Sequence, residues 1–450
     1  MNHIKIASQT QADVRIFDKI DEFFNHFHVS TMLHRCGVRK RHGYSVRSLI
    51  KPVFSLPFLG KNFFRGIVIN DEVPFGKDAA YDLLKGSRSN WRCFLLTLGV
   101  KLYRFFDQLT SDQRESVLII DDSTYDRSRS KKVELLSRVW DHTTGRFVRG
   151  FRMLTLCWSD GVSCLPLDFT LLSSTNAAKR FCEATKIVDK RCCAHKRREE
   201  ATIKSTTHLG EMVKRVLSAG IDASYVLMDS WFAMPATIVS LSHHLPVICM
   251  VKKTPKILYG YGNRRCDLMT LYQCLKKRRG RAKILASVIV TLKDEHKAKV
   301  VFVRDRRKKD WLALLSTDIH LPDEDIVRIY GKRWDIEVFF KEIKQTLQLS
   351  DFLGHNANAV RWQIWTGLLV HLLLRYLAHL YSWAHSFTRL FTVLRAVLWR
   401  YLYLDDLLKS YGTARPPGRI CATPELAYLP GFGQILWDSH MLKGGAWHIY

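Results

Sequence analysis

The sequence predicts an α/β protein, on three observations. Two short apolar runs, Ser116–Thr124 and Tyr225–Asp229, close on acids, as buried strands do where one end opens onto a site. Residues 245–318 alternate β-like stretches with basic turns such as KKRRGR at 276–281 and RDRRKK at 304–309. The regions on either side carry apolar residues at helical spacing instead.

Taken in order, residues 1–110 read as a helical, basic, DNA-binding region. Its stretch RCGVRKRHGYSVRSLIK (35–51) leads into a Pro/Gly-punctuated segment, 52–76. The runs KDAAYDLLK (77–85) and NWRCFLLTL (90–98) are joined across Gly86-Ser87-Arg88-Ser89. They read either as a helix-turn-helix with an arginine on its second helix or as two ordinary packed helices. Residues 147–158 and 163–172 form a hairpin around Ser159-Asp160-Gly161, and 176–219 turns helical and basic. A long helical stretch begins at Pro322, and past 405 the Pro/Gly-punctuated chain reads as a terminal wrap. The segment at 362–383, WQIWTGLLVHLLLRYLAHLYSW, is long enough to span a bilayer, but His371, Arg375 and His379 interrupt it. Their cost in lipid makes it a buried helix of a protein core.

The chain has 450 residues, with 70 Lys and Arg against 42 Asp and Glu, a formal charge of +28. That excess gathers polyanions, so nucleic acid is the expected partner and an anionic membrane surface the second. Apolar residues at 47% exclude the disordered class. Eleven cysteines with no CxxC pair and no Cys/His quartet exclude a zinc module. The first residues lack a leader pattern, and reduced thiols in a cytoplasmic protein are expected.

The chemistry concentrates in three places: Asp121/Asp122, Asp229, and the stretch YGKRWDIEVFFKEIKQTL at 330–347. On one unbroken helix at about 100° per residue, Arg333, Glu337 and Lys344 fall at about 300°, 340° and 320° from Tyr330. One edge of an apolar face then carries a single carboxylate among a phenol, a guanidinium and an ammonium. Phosphodiester chemistry uses such acids to hold two hard cations about 3.5–4 Å apart. Each feature alone has an ordinary reading, as an ion-pair face or a turn cap.

The spacing Tyr330-x2-Arg333-x3-Glu337-x6-Lys344 resembles the YREK signature of bacterial insertion-sequence transposases of the DDE, cut-and-paste group. Ile-Ile-Asp-Asp122-Ser-Thr and Val-Leu-Met-Asp229 resemble the first and second acid strands of that family, in the family's order. The resemblance covers roughly 115–350. It implies a ribonuclease-H-like catalytic core at 111–350, interrupted by a β-rich insertion at about 245–320 and flanked by helical regions at 1–110 and 351–450. By the same resemblance Asp122, Asp229 and Glu337 are catalytic and bind two Mg²⁺ ions, with Mn²⁺ as the other candidate. Neighbouring strand residues point opposite ways, so only one of Asp121 and Asp122 can face the metals; the resemblance implies Asp122, which stands directly before the Ser-Thr pair as in the family pattern. Tyr330, Arg333 and Lys344 would contact DNA phosphates.

In hairpin-forming members a tryptophan of the insertion stacks on a flipped base, and Trp311 resembles it, core packing in an apolar strand being the other reading. Such stacking is worth about 1–3 kcal/mol. The implied partners are double-stranded DNA, both element terminal repeats and target, and a second copy of the chain in a synaptic homodimer. The implied location is the bacterial nucleoid, with no membrane. His142 reads as a turn histidine or an aid to hydrolysis; Cys192-Cys193 beside His195 reads as structural. Two rivals stand beside the transposase: an inactive DNA-binding relative, and a nuclease of the same fold that cuts without joining.

Overall fold

The computed structural model describes residues 20–59, 68, 73–107, 114–185, 189–305, 310–346 and 357–397. Helices α1 (Val29–Arg35), α2 (Val46–Leu59), α3 (Lys77–Lys85) and α4 (Trp91–Asp107) precede strands β1 (Val117–Asp126), β2 (Ser137–Asp141), β3 (Arg146–Ser159) and β4 (Cys164–Leu172). Next come α5 (Cys193–Glu200), α6 (Ser205–Ser218), β5 (Tyr225–Met228), α7 (Pro235–Ser242), β6 (Val247–Val251), β7 (Tyr259–Tyr261), β8 (Arg264–Cys266) and α8 (Leu268–Cys274). The chain continues through β9 (Ile284–Thr291), β10 (Lys297–Asp305), β11 (Asp310–Ser316), α9 (Asp323–Gly331) and α10 (Trp334–Lys341). A π-helical turn, Glu342–Thr346, then leads towards α11 (Ala357–Leu380) and α12 (Phe387–Val397). Among the described residues, one compact unit takes those up to 223 and from 335 onward, and a second takes 224–334.

In the first unit β3 is the hub. It pairs antiparallel with β1 from Val117↔Ser159 to Asp126↔Gly150, with β2 through its first residues, and with β4 on the way to the Ser159–Cys164 turn. Gly161 closes that turn at φ 89°, where glycine is at no steric disadvantage. Every residue of β4 is buried, Asp168 included. α4 packs on β4 at Gly99, where a Cβ would stand 2.7 Å from a Leu167 methyl. In the second unit β5 and β6 are parallel, and the ladder runs on antiparallel through β11, β10, β9, β7 and β8.

The strands at 225–228, 284–291, 297–305 and 310–316 and the hairpin at Ser159–Cys164 lie where the sequence pattern puts them. Four expectations need correction. The burial of β1 ends at Ile120, but the strand continues to Asp126 because β3 keeps pairing with it, so both acids stand mid-strand. The Pro/Gly-punctuated segment begins within the helical region expected over 1–110: α2 runs through Pro52 and Pro57, and the burial of Leu49, Ile50, Val53, Phe54, Leu56 and Phe58 outweighs the proline cost.

The helix-turn-helix reading fails at Arg92. Its guanidinium bonds Asp168 at 2.9 Å, both Glu200 oxygens and the Thr170 hydroxyl, so it is committed to the interior. Only part of 176–219 is helical, as α5 and α6 with one short 3₁₀ turn, Ala177–Lys179, before them.

Nor is 330–347 one helix. α9 stops at Gly331, and the Lys332 and Arg333 amides donate to Ile329 and Tyr330 at 3.0 Å, the tighter i to i+3 pattern. Glycine there weakens the helix, and the π turn shifts phase again farther on. The one-stripe geometry therefore does not apply. The 362–383 segment is helix up to Leu380, buried along most of 364–377 with His371 wholly inside, and no described helix is long and apolar enough to cross a membrane. The basic turn at 306–309 and everything past 397 lie outside the described residues.

Candidate active site

In the first unit Asp122 stands on β1 opposite Leu154. Its two carboxylate oxygens accept from Arg152 Nη1 at 2.9 Å each. Arg152 is the diagonal neighbour of Asp122 on the same face, paired in register with Thr124. Its Nη2 reaches the Trp140 carbonyl at 3.4 Å and His142 Nε2 at 3.0 Å. A guanidinium only donates, so that ring nitrogen accepts and the His142 proton sits on Nδ1. The Asp122 amide donates to Asp121 Oδ1 at 2.8 Å.

Lys344, on the π turn, belongs to the same neighbourhood. Protein crowded around its stem pushes its pKa below the usual lysine range, although the residue is exposed. The carboxylates of Asp141, Asp122, Asp126 and Asp121 pull the other way. Glu337 lies half-buried on α10, whose packed side is Ile336, Phe339 and Phe340.

The second unit holds the other residues. Asp229 follows β5 directly, its carbonyl accepting the Phe232 amide at 3.1 Å. Tyr330, at the end of α9, is buried, and burial pushes its phenol pKa well up; Arg333 lowers it, while the charges of Asp229 and Cys249 raise it. The Arg333 guanidinium sits 5.7 Å from the Tyr330 ring centroid and is itself buried. The Tyr330 hydroxyl and Arg333 Nε are therefore not presented to solvent.

Trp311 is only 9% exposed. It stacks on Tyr272 at 4.6 Å, meets Phe302 edge-on at 5.1 Å, and carries Lys253 Nζ 3.9 Å from its ring centroid. A base reaches that ring only where Lys253 gives way. Trp231, two residues after Asp229, is 48% exposed beneath Lys252 Nζ at 4.4 Å. Cys192 caps α5 by accepting the His195 amide at 3.4 Å, a structural role.

The fold thus gathers Asp122 and Lys344 in one unit, and Asp229, Tyr330 and Arg333 in the other. Sequence reasoning missed Arg152, which the register of β1 against β3 places on the Asp122 face. Among the described residues no group of three or more His, Cys, Asp or Glu is arranged to hold a metal ion. The donor chemistry of Asp122, Asp229 and Glu337 nonetheless suits a hard divalent cation: all are oxygen ligands, and all are half-buried rather than sealed. Arg152 now holds both Asp122 oxygens, so a cation bound there would have to displace it.

Two family models match. That of the DDE superfamily endonuclease covers residues 66–257, and that of the archaeal ISC1217 transposase covers 284–382. Residues 66–257 are thus similar to DDE superfamily endonucleases, and residues 284–382 to an archaeal transposase family. A Sinorhizobium fredii protein named as a transposase is 41% identical over 75 residues, 17% of this chain and 21% of its own. A transposase assigned to insertion sequence IS5377 of Geobacillus stearothermophilus is 34% identical over 79 residues, 18% of this chain and 21% of its own. One assigned to IS4SA of Synechocystis is 37% identical over 82 residues, 17% of this chain and 24% of its own. The chain thus matches less than a quarter of the length of these relatives. A piggyBac transposase synaptic complex with hairpin DNA, solved by cryo-EM, aligns over 88% of this chain and 77% of its own, at 14% identity and a TM-score of 0.39. That is too distant a likeness to speak to function.

Proposed function

We propose that this protein is a DNA transposase of the YREK, cut-and-paste group, with a ribonuclease-H-like core that cuts the ends of its element and joins them to target DNA. One observation carries the reading: residues far apart in sequence share local fields as the motif requires. Lys344 lies in the field of Asp122, and Tyr330, beside Arg333, lies in the field of Asp229. Asp122, Asp229 and Glu337 would hold two divalent cations, Mg²⁺ or Mn²⁺. When bound, these supply charge neutralisation at the scissile phosphate and a more acidic attacking water.

The chain's own part is positional and electrostatic. Lys344, being exposed, pairs with a phosphate beside the scissile bond. Arg152 neutralises Asp122 until DNA and cation arrive, then is free to bind a phosphate oxygen. Arg333 and Tyr330 brace the backbone that carries Asp229, and they reach phosphate only if the end of α9 opens. The +28 charge supports a long DNA footprint whose affinity falls steeply with salt. Two copies of the chain would bridge the two element ends.

The test compares wild type with Asp122→Asn, Asp229→Asn and Glu337→Gln on labelled DNA carrying the element's own end, with Mg²⁺ and with EDTA. Each substitution is expected to lower cleavage on the order of 10²–10³-fold or more while binding persists. Metal-independent cutting, or variants that cut as well as wild type, would overturn the assignment. Supplying a second DNA separates transposase from nuclease: 3′ ends joined to it are expected, and cutting without joining favours the nuclease.

A further inference from the structure

The hairpin of β2 and β3 has two unlike faces. Inward, Val139 and Val148 stand opposite one another and are buried, with Ser137 beside them. Outward, Arg138 stands opposite Arg149 and Trp140 opposite Phe147. Trp140 is 38% and Phe147 52% exposed, and their rings meet edge to face at 4.9 Å. The Arg138 guanidinium lies 4.1 Å from the Phe147 centroid, and that of Arg149 lies 4.7 Å from Phe181, which is 48% exposed. Phe181 is fixed alongside by its amide, which donates to the Leu136 carbonyl at 2.7 Å.

No ion pair among the described residues uses Arg138, Arg146 or Arg149, and all three are exposed. The one acid at the tip, Asp141, is occupied in closing its own turn: it accepts the Thr143 amide at 3.1 Å and the Thr144 hydroxyl at 3.0 Å. The face is therefore purely cationic and aromatic. Large rings left in water between unpaired guanidiniums match a partner that offers both π faces and negative charge. A nucleic-acid strand with an unstacked base has both; an apolar protein surface lacks the charge. Asp122 and Arg152 lie on the other face, with Val148, and Arg152 reaches this hairpin only at the Trp140 main-chain carbonyl and at His142.

We infer that the outward face of the β2–β3 hairpin binds a DNA strand: an unpaired base stacks on Trp140 against Phe147, and Arg138 and Arg149 take the flanking phosphates. This rests on the reading of the chain as a DNA-cutting enzyme.

The experiment uses the full chain with two fluorescent DNA probes of one sequence, a blunt duplex and a duplex with a single-stranded end carrying 2-aminopurine. Trp140→Ala/Phe147→Ala is expected to bind the single-stranded end about tenfold more weakly, to bind the blunt duplex nearly as wild type does, and to lose the 2-aminopurine quenching. Trp140→Tyr/Phe147→Tyr keeps the stacking surfaces and should restore both. Arg138→Gln/Arg149→Gln, an independent readout should the alanine pair fold poorly, is expected to reduce the slope of log affinity against log salt by about one per arginine. If wild type binds and cuts DNA while all three variants behave alike on both probes, the hairpin site is refuted and the transposase reading survives. If wild type binds neither probe, both fall.

Discussion

Removing the Glu342 carboxylate tests how the π turn is pinned. Its Oε1 and Oε2 each accept from Arg375 Nη2 at 2.8 Å, and Oε2 accepts from His371 Nε2 at 2.9 Å. Burial pushes the Glu342 pKa up, but Arg375 and His371 outweigh it and the net shift is downward, so the group stays ionised. His371 is wholly buried, and burial lowers its pKa, which keeps the ring neutral with its proton on Nε2. A hydrogen bond to a charged group contributes about 1.5–3 kcal/mol. The Arg375 side chain is 22% exposed, so its share belongs at the lower end of that range. Glu342→Leu leaves a buried imidazole and a part-buried guanidinium unpaired, a cost of about 3 kcal/mol, or a fall in Tm of about 6–12 °C.

Urea and thermal melts at neutral pH measure that cost, and a cycle with His371→Leu should return a coupling of about 1.5 kcal/mol. The pH profile gives a second check. Between the lowered folded pKa of His371 and its unfolded value near 6.5, the unfolded chain binds a proton that the folded one refuses, so stability falls as pH drops below about 6.5. The Glu342 contribution is present above about pH 4.3 and is lost as pH falls through its lowered folded pKa. His208 and His379 are also lowered by burial, so the informative quantity is the difference from His371→Leu, which should be flatter below pH 6.5. A Glu342→Leu cost under about 1 kcal/mol, with no coupling to His371, would refute the reasoning.

Trp311→Ala empties a packed site between Tyr272 and Phe302 and should cost about 3–5 kcal/mol in a urea melt; a near-neutral result would show that the ring is not core. Gly150→Ala forces a Cβ to 2.2 Å from the Tyr125 carbonyl oxygen, so the far end of the β1–β3 ladder must part; a loss of about 2–3 kcal/mol and faster amide exchange at Tyr125–Asp126 are expected. Arg92→Met strips one cation from buried Asp168 and from Glu200, whose pKa falls to about 2 against the push of burial. It should cost about 3 kcal/mol of stability and leave DNA sequence preference unchanged, whereas a base-reading arginine would show the reverse.

What the sequence disclosed, it disclosed locally. The runs at 284–291 and 310–316 are β-branched and leucine-rich between basic turns, and Ser159-Asp160-Gly161 is a turn on its own chemistry, so no distant partner is needed to read them. The length of β1 beyond Ile120 was not readable in this way. Ser123 to Asp126 are in strand only because β3 lies beside them, with Tyr125 opposite Phe151. The burial of Trp311 likewise depends on Tyr272 and Lys253, which an apolar strand pattern does not name.

The site divides along the same line. The order and spacing of Asp122, Asp229 and Glu337 were visible in the chain, and so was the Tyr330-to-Lys344 set. The stripe drawn through that set required one helix, and Gly331 was the available warning that there are two. The consequence is chemical. With the break, Tyr330 and Arg333 stay buried beside Asp229, while Lys344 is carried on a separate turn into the field of Asp122. The three basic and phenolic residues of the motif therefore divide, Tyr330 and Arg333 going with one acid and Lys344 with another, at different exposures. Lys344→Ala should weaken DNA binding and reduce its salt slope, since an exposed cation acts through phosphate. Arg333→Ala should first destabilise the fold around Tyr330, since a buried guanidinium acts through its neighbours. A set that worked as one stripe would make those two variants indistinguishable.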